Sequence, residues 1–249
     1  PSTLSRPIRS RMNRQRTLRK GKSRKIIRMA KDVLTCLEAE QGQIEWVQRT
    51  DPISELVFTI LSQHTSDINA ERATKELMRS FRTWEDVAVA EPFQVMSSIQ
   101  TAGLAKQKTP RIQNSLAKII ELRGSLDLSF LKELPLQEAK SWLRNLPGVG
   151  PKTAGIVLSF SLGMPAMAVD THIYRVCRRL GLIDSHLSVD HAHDFLESIV
   201  PQEIVYKFHV ALISHGRKFC KALRPLCSQC TIRELCPSRQ DLTKTKKSY

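Results

Sequence analysis

Apolar residues recur with the spacing of an α-helix along most of the chain. The period is visible in PISELVFTILSQ, INAERATKELMRSF and RIQNSLAKIIELRG, and no segment alternates as a half-buried strand does. The sequence therefore predicts an all-α protein of about ten helices. Glycines mark the expected ends of helices, and capping residues or prolines mark the starts: the ends lie near Gly42, Gly103, Gly124, Gly148 and Gly181, and the starts near Asp51, Thr83, Pro135 and Asp170.

The chain is strongly basic. It carries 39 Lys and Arg against 24 Asp and Glu among its 249 residues, which gives a formal net charge of +15. Such an excess favours a polyanionic partner, and both nucleic acid and an acidic membrane surface satisfy it on charge alone. The longest weakly polar run, IVLSFSLGMPAMAV, is broken by Gly163 and Pro165 and is too short to span a bilayer. We therefore expect a nucleic-acid-binding protein with no membrane partner.

The N-terminal segment is basic and lacks an apolar signal sequence. Residues 1–23 are expected to form a basic, flexible tail, because a run of like charges does not bury a core. This composition favours an intracellular protein of the cytoplasm or nucleoid of a prokaryote. For a eukaryotic source the nucleus or the mitochondrion is the alternative, since transit peptides are also basic and poor in acids.

The stretch LPGVGPKTA, residues 146–154, follows a predicted helix and opens an apolar run. It does not have the spacing of a P-loop, because Pro151 separates Gly150 from Lys152. We expect a tight turn between two helices, in which Gly148 and Gly150 let a ligand approach the backbone closely. The free N–H groups at the start of the second helix can bind a DNA phosphate. A simple interhelical turn is the alternative.

Two charged residues near this turn are candidates for catalysis. Lys152 falls in the first turn of its helix, where the helix dipole and apolar neighbours would lower its pKa and leave a nucleophilic amine. Lys152 is thus a candidate for Schiff base formation, and a solvated phosphate clamp is the alternative. Asp170 stands directly before the amphipathic segment THIYRVCRRL and is expected to cap that helix. A cap does not exclude a catalytic role.

Four of the six cysteines are crowded near the C-terminus, whereas Cys36 and Cys177 stand alone in apolar helical surroundings. The crowded ones follow the pattern C-x6-C-x2-C-x5-C and predict a metal site: Cys220, Cys227, Cys230 and Cys236. This spacing suits tetrahedral zinc and an iron–sulfur cluster equally well. His191 and His193 form an H-x-H pair without a third ligand, so we expect both on a helix surface.

LPGVGPKTA followed by VDTHIYRVCRRLGL closely resembles the helix-hairpin-helix DNA glycosylases of the endonuclease III type, and so does HGRKFCKALRPLCSQCTIRELC. The resemblance runs from about residue 50 to 238. It implies that Lys152 attacks the sugar of a flipped, damaged nucleotide while Asp170 assists, and that the Schiff base then permits strand cleavage by β-elimination. It also implies a 4Fe-4S cluster on the four cysteines. Lys221 and Arg224, in the loop between the first two ligands, could then contact DNA phosphates; ordinary solvated charge is the alternative.

The resemblance is looser in the N-terminal half. In ILSQHTSD the family's gap-filling segment has glutamine where an ungapped match puts His64, and Gln63 stands one position earlier. Gln63 and His64 are both candidate DNA contacts. His64 either fills the gap left by a flipped base or is merely packed. In TAGLAKQKTPRI, Leu104 matches the family's wedge leucine, whereas Ala105 and Lys106 replace its usual Tyr-Asn neighbours. A different lesion preference is therefore expected.

The resemblance also implies an architecture of two helical lobes flanking a DNA-binding cleft. Residues 46–164 would form a six-helix barrel lobe with the hairpin, and residues 24–45 with 165–249 an iron–sulfur cluster lobe, so that Asp170 faces Lys152. We expect a monomeric, bifunctional DNA glycosylase and AP lyase for damaged, oxidised pyrimidines in double-stranded DNA. The alternatives are a glycosylase for mismatched uracil or thymine or for alkylated purines, and a non-catalytic DNA-binding iron–sulfur protein.

Overall fold

The computed structural model describes residues 6–184 and 186–239, with side chains from residue 24 onward, and every regular element in this part of the chain is helical. The prediction of an all-α protein is confirmed. The α-helices are α1 (Arg6–Gln41), α2 (Pro52–Ser62), α3 (Asp67–Ser80), α4 (Trp84–Val89), α5 (Pro92–Ser98), α6 (Ala105–Arg123), α7 (Leu136–Arg144), α8 (Pro151–Ile156), α9 (Thr171–Leu180), α10 (Val189–Ile199) and α11 (Val205–Lys218).

The first helix extends further than the sequence indicated. It begins at Arg6, so residues 6–23, which were expected to be flexible, are helical here, and residues 1–5 lie outside the described part. Arg and Lys are good helix formers, so the helix can continue outward from its packed end. None of the helices in the described residues combines the length and the apolar character that a membrane span requires.

The chain divides into two compact units. One comprises Pro1–Glu45 and Val169–Tyr249, and the other comprises Trp46–Ala168. The sequence predicted the boundaries between these units after residues 45 and 164. The second boundary lies later because Ala166 belongs to the buried core of the 46–168 unit, and Ala168 packs against Gly155 of α8.

The 46–168 unit contains seven α-helices, three of them shorter than eight residues, where the resemblance implies six. Its core is built around α2, whose Leu56, Val57, Ile60 and Leu61 are fully buried. The start of α2 is fixed as predicted, because the Asp51 carboxylate accepts hydrogen bonds from the first backbone N–H groups of the helix. This unit holds the hairpin.

The other unit is formed by α1, α9, α10 and α11. Helix α11 packs against both α9 and α1, and Gln41 Nε2 donates a hydrogen bond to Ala211 O at 3.2 Å. The apolar face of α9, with Ile173, Val176 and Leu180, is buried. This unit carries Asp170 and the four crowded cysteines.

Candidate active site and DNA-binding surface

The two glycines of the hairpin turn have different roles. Gly148 has φ +77, and a Cβ atom there would lie 2.9 Å from the Cγ and Cδ atoms of Arg111, so this position requires glycine. Gly150 has φ −96 and occupies the position directly before α8, and a Cβ atom there would meet no atom within 4 Å. Protein atoms therefore fill the space beside Gly148, whereas the space beside Gly150 is available to a ligand.

Three side chains hold the turn in place. Gln63 Nε2 donates to Gly148 O at 3.1 Å, and Arg111 Nη1 donates to Gln63 Oε1 at 3.0 Å. Ser115 Oγ donates to Pro147 O at 2.6 Å. Gln63, which the resemblance suggested as a DNA contact, thus has both ends of its amide bound to protein.

Lys152 is the second residue of α8, after Pro151, and its side chain is exposed. Gly150 has no side chain with which to cap the helix, and the first intrahelical bond runs from Ala154 N to Gly150 O at 3.0 Å. The backbone N–H groups of Lys152 and Thr153 therefore precede the hydrogen-bonded part of the helix. The start of α8 thus combines an exposed lysine amine with backbone N–H groups that have no partner within the helix. The N–H groups suit an anion such as a phosphate, and the amine suits attack on an electrophilic carbon.

His64 and Leu104 share an unusual backbone conformation. They are the two non-glycine residues with positive φ in the described part of the chain, at 55° and 52°. His64 follows the end of α2, and Leu104 directly precedes α6. Both are exposed, Leu104 by 46% of its surface. Left-handed backbone is rare for a leucine, and such strain concentrates at functional sites.

Asp170 caps α9 as predicted. Its Oδ1 accepts a hydrogen bond from Ile173 N at 2.8 Å, and within the described residues Oδ2 accepts none from protein. The residue before it is anchored, because Val169 N donates to His193 Nδ1 at 3.1 Å. His193 is buried, so its expected place on a helix surface is wrong; its ring turns inward to satisfy this backbone N–H. His191 is exposed as expected.

The four crowded cysteines line one cavity, together with Arg179 and His215. Burial raises the pKa of the Cys230 thiol to about 11, and it raises the pKa of the Cys236 thiol as well, with neighbouring cysteines acting in the same direction. Among the described residues, no three His, Cys, Asp or Glu side chains converge as a single metal ion would require.

Two arginines of α9 hold the loop between Cys220 and Cys227. Arg175 Nε donates to Cys220 O at 2.8 Å, and Arg179 donates to Lys221 O and Ala222 O, each at 2.8 Å. The side chains of Lys221 and Arg224 in this loop are exposed. The helix that Asp170 caps thus also fixes the loop that carries the predicted phosphate contacts.

Lys108 of α6 is buried, which was not predicted from the sequence. Its side chain is only 1% exposed, and Nζ donates to Leu61 O at 2.7 Å and to Ala102 O at 2.8 Å. Burial, and secondarily the charge of Arg111, lowers the pKa of Lys108. A signal was present, because Lys108 lies on the helical stripe of Ala105 and Ile112, which are both buried.

The chain belongs to the HhH-GPD superfamily of base excision DNA repair proteins. The model of that family matches residues 57–202, which include the hairpin, Lys152 and Asp170. The matched region comprises more than half of the chain.

Within the superfamily, the chain is similar to Endonuclease III of Thermotoga maritima, with 34% identity over 189 residues, 76% of this chain and 84% of the relative. A solved non-covalent Endonuclease III–DNA complex matches with a TM-score of 0.72 and 30% identity, over 86% of this chain and 98% of that one. A trapped Endonuclease III–DNA covalent intermediate matches with a TM-score of 0.71 and 30% identity. The protein is an endonuclease III-like DNA glycosylase and AP lyase.

Proposed function

We propose that the protein removes oxidised pyrimidines from double-stranded DNA and cleaves the strand at the abasic site through a Schiff base on Lys152. The observation that carries this proposal is the exposed Lys152 amine in the first turn of α8, beside a backbone turn with free N–H donors. The similar Endonuclease III that was trapped as a covalent intermediate with DNA supports a covalent route.

Lys152 is assigned the role of nucleophile and Asp170 the role of general base or electrostatic partner. Lys152 Nζ attacks the anomeric carbon of the flipped nucleotide, and the bond from that carbon to the base breaks with its electron pair leaving on the base. Asp170, whose Oδ2 accepts no protein hydrogen bond in the described residues, takes up the amine proton or stabilises positive charge on the sugar. The C1′–O4′ bond then breaks, O4′ takes up a proton, and an iminium forms between Lys152 Nζ and C1′. The iminium acidifies the neighbouring C2′ proton, and loss of that proton expels the 3′ phosphate.

DNA would be held mainly through its backbone. The open turn at Gly150 and the N–H groups of Lys152 and Thr153 suit one phosphate, and such contacts position the protein without reading sequence. The exposed Lys221 and Arg224 suit further phosphates. The net charge of +15 favours the same partner.

His64 and Leu104 are assigned to the space vacated by the flipped nucleotide. Flipping costs a few kcal/mol of stacking and pairing, and side chains that enter the gap offset part of this cost. Support comes from their exposure and from the left-handed backbone that presents them. Gln63 is assigned to the same surface as the residue that joins the His64 segment to the hairpin turn. Ala105 and Lys106, in place of Tyr-Asn, favour a modified lesion preference.

We assign a 4Fe-4S cluster to the cavity lined by Cys220, Cys227, Cys230 and Cys236. Four cysteine thiolates suit tetrahedral zinc as well as an iron–sulfur cluster. The similarity of the chain to Endonuclease III, whose type of C-terminal cysteine loop its own loop resembles, favours the cluster. When bound, the cluster would supply a structural crosslink rather than a step of the reaction. The cysteines then fix both ends of the loop with Lys221 and Arg224.

We further expect the protein to act as a monomer. Its relatives in Thermotoga maritima and Bacillus subtilis are bacterial, which favours action on DNA in the bacterial cytoplasm or nucleoid. For a eukaryotic source, the nucleus or mitochondrion is the corresponding expectation.

The test is borohydride trapping on duplexes that each contain one intact lesion: thymine glycol, dihydrouracil, uracil opposite guanine, or an alkylated purine. We expect a covalent complex on the first two duplexes, lost in Lys152→Ala and retained in Lys132→Ala, a control at another exposed lysine of the same unit. Base release without trapping would refute the Schiff base route. Trapping on the uracil or alkylated-purine duplex alone would refute the assigned substrate class.

A further inference from the structure

Lys108 is a buried cation with an unusual set of partners. Its Nζ atom donates to two backbone carbonyls, Leu61 O at 2.7 Å and Ala102 O at 2.8 Å, and no carboxylate pairs with it among the described residues. Burying a charge is costly, and an apolar side chain of similar volume commonly serves stability as well or better. The presence of lysine here therefore calls for a reason other than stability.

The two carbonyls belong to the segments that present His64 and Leu104. Leu61 lies in the last turn of α2, three residues before His64, and Ala102 ends a short 3-10 turn two residues before Leu104. Carbonyls at helix ends lack intrahelical partners and carry partial negative charge, which suits an ammonium group. One side chain thus joins both segments.

Those segments are also the ones with strained backbone. His64 and Leu104 have φ values of 55° and 52°. A residue keeps such a conformation only where its surroundings hold it in place. Arg111, about one turn further along α6, adds a second constraint, since it donates to Gln63 Oε1 at 3.0 Å, directly beside His64.

We propose that Lys108 is a positioning residue for nucleotide flipping: its ammonium fixes the His64 segment relative to Leu104, so that both side chains enter the duplex together. This inference rests on the proposed function, because it requires that His64 and Leu104 contact DNA. Lys108 itself touches neither DNA nor the reacting atoms, and it acts through the two backbone segments.

The test compares Lys108→Met with Gln113→Leu. Gln113 is a matched control, since it lies on the same helix, is buried, and donates to two backbone carbonyls, Val87 O at 3.0 Å and Ala90 O at 2.8 Å, in a different segment. Flipping is followed by the fluorescence of 2-aminopurine placed beside thymine glycol, and excision is followed under single-turnover conditions. Borohydride trapping on a preformed abasic site reports the Lys152 chemistry separately.

We expect Lys108→Met to slow flipping and excision at least tenfold and Gln113→Leu to slow them less than twofold. In addition, Leu104→Ala should slow excision more than tenfold in the wild type but less than threefold in Lys108→Met, because residues that act as one unit are not additive. A purely structural role of Lys108 would not produce this non-additivity.

The inference would be overturned if Lys108→Met and Gln113→Leu slowed flipping and excision equally. It would also be overturned if Leu104→Ala slowed excision as much in Lys108→Met as in the wild type. Neither result would affect borohydride trapping by the wild type, which tests the proposed function separately. A wild type that neither flips the nucleotide nor traps on the abasic site would overturn the proposed function together with the inference. If Lys108→Met does not fold, Lys108→Gln, which keeps amide donors and loses the charge, is judged by the same criteria.

Discussion

Replacing Gly148 by alanine should disrupt the hairpin turn, while the same change at Gly150 should not. At Gly148 the backbone has φ +77, and the new Cβ atom would lie 2.9 Å from Arg111 Cγ and Cδ. Side-chain atoms do not approach so closely, so Arg111 must move. At Gly150 φ is −96, and the new methyl group meets no protein atom within 4 Å.

The expected cost of Gly148→Ala is about 2.5–5 kcal/mol of unfolding free energy. Left-handed backbone costs an alanine about 1–2 kcal/mol relative to glycine. Displacing Arg111 breaks its hydrogen bond to Gln63, which is 3.0 Å long and worth about 1.5–3 kcal/mol because the donor is charged. Gly150→Ala should cost less than about 1 kcal/mol, the scale of a weakened helix N-terminus.

Urea denaturation monitored by circular dichroism measures both costs, and fluorescence anisotropy with a duplex containing a reduced abasic site measures affinity. Gly150→Ala should weaken DNA binding at least tenfold, about 1.4 kcal/mol, because the methyl group occupies the space assigned to a phosphate. Equal stability losses in both variants would refute the distinction between the two glycines. Unchanged DNA affinity in a folded Gly150→Ala would refute the phosphate site.

Two further predictions separate structural from chemical roles. Asp170→Asn retains a good helix cap and should change the unfolding free energy by less than about 0.5 kcal/mol. The same variant should lower the single-turnover excision rate at least 100-fold, because the carboxylate is lost. Asp170→Ala should lower the excision rate and also lose about 1 kcal/mol of stability. An Asn variant with wild-type excision would contradict the catalytic role. Cys236→Ser should lower the iron content and the visible absorbance of the purified protein, whereas Cys36→Ser should leave both unchanged. Iron analysis and absorbance spectra measure these two quantities. Bound zinc without iron would contradict the assignment of a 4Fe-4S cluster.

Much of the fold followed from local rules. Asp51, Thr83 and Asp170 cap helices as predicted, since a short acceptor side chain satisfies free N–H groups wherever a helix begins. Gly124 and Gly181 end helices as predicted, and the structure shows both in the left-handed conformation. These signals depend on neighbours in sequence, so a single chain reveals them.

Features that depend on tertiary contacts could not be predicted from the sequence. Lysine is rarely buried, so its place on the apolar stripe of α6 was not enough to predict that Lys108 is in the core; its carbonyl partners, Leu61 O and Ala102 O, come from outside α6. His193 turned inward for the same kind of reason, since its partner is Val169 N. The left-handed backbone of Leu104 was likewise not predictable, because leucine does not favour this conformation locally.

The central claim is that the Lys152 amine forms the covalent bond to DNA. The most direct measurement is borohydride trapping on a duplex with a preformed abasic site, followed by proteolysis and mass spectrometry of the crosslinked peptide. The adduct should lie on Lys152 within LPGVGPKTA, and Lys152→Ala should abolish it while Lys132→Ala leaves it intact. An adduct on another lysine or on the N-terminal amine, persisting in Lys152→Ala, would contradict the claim.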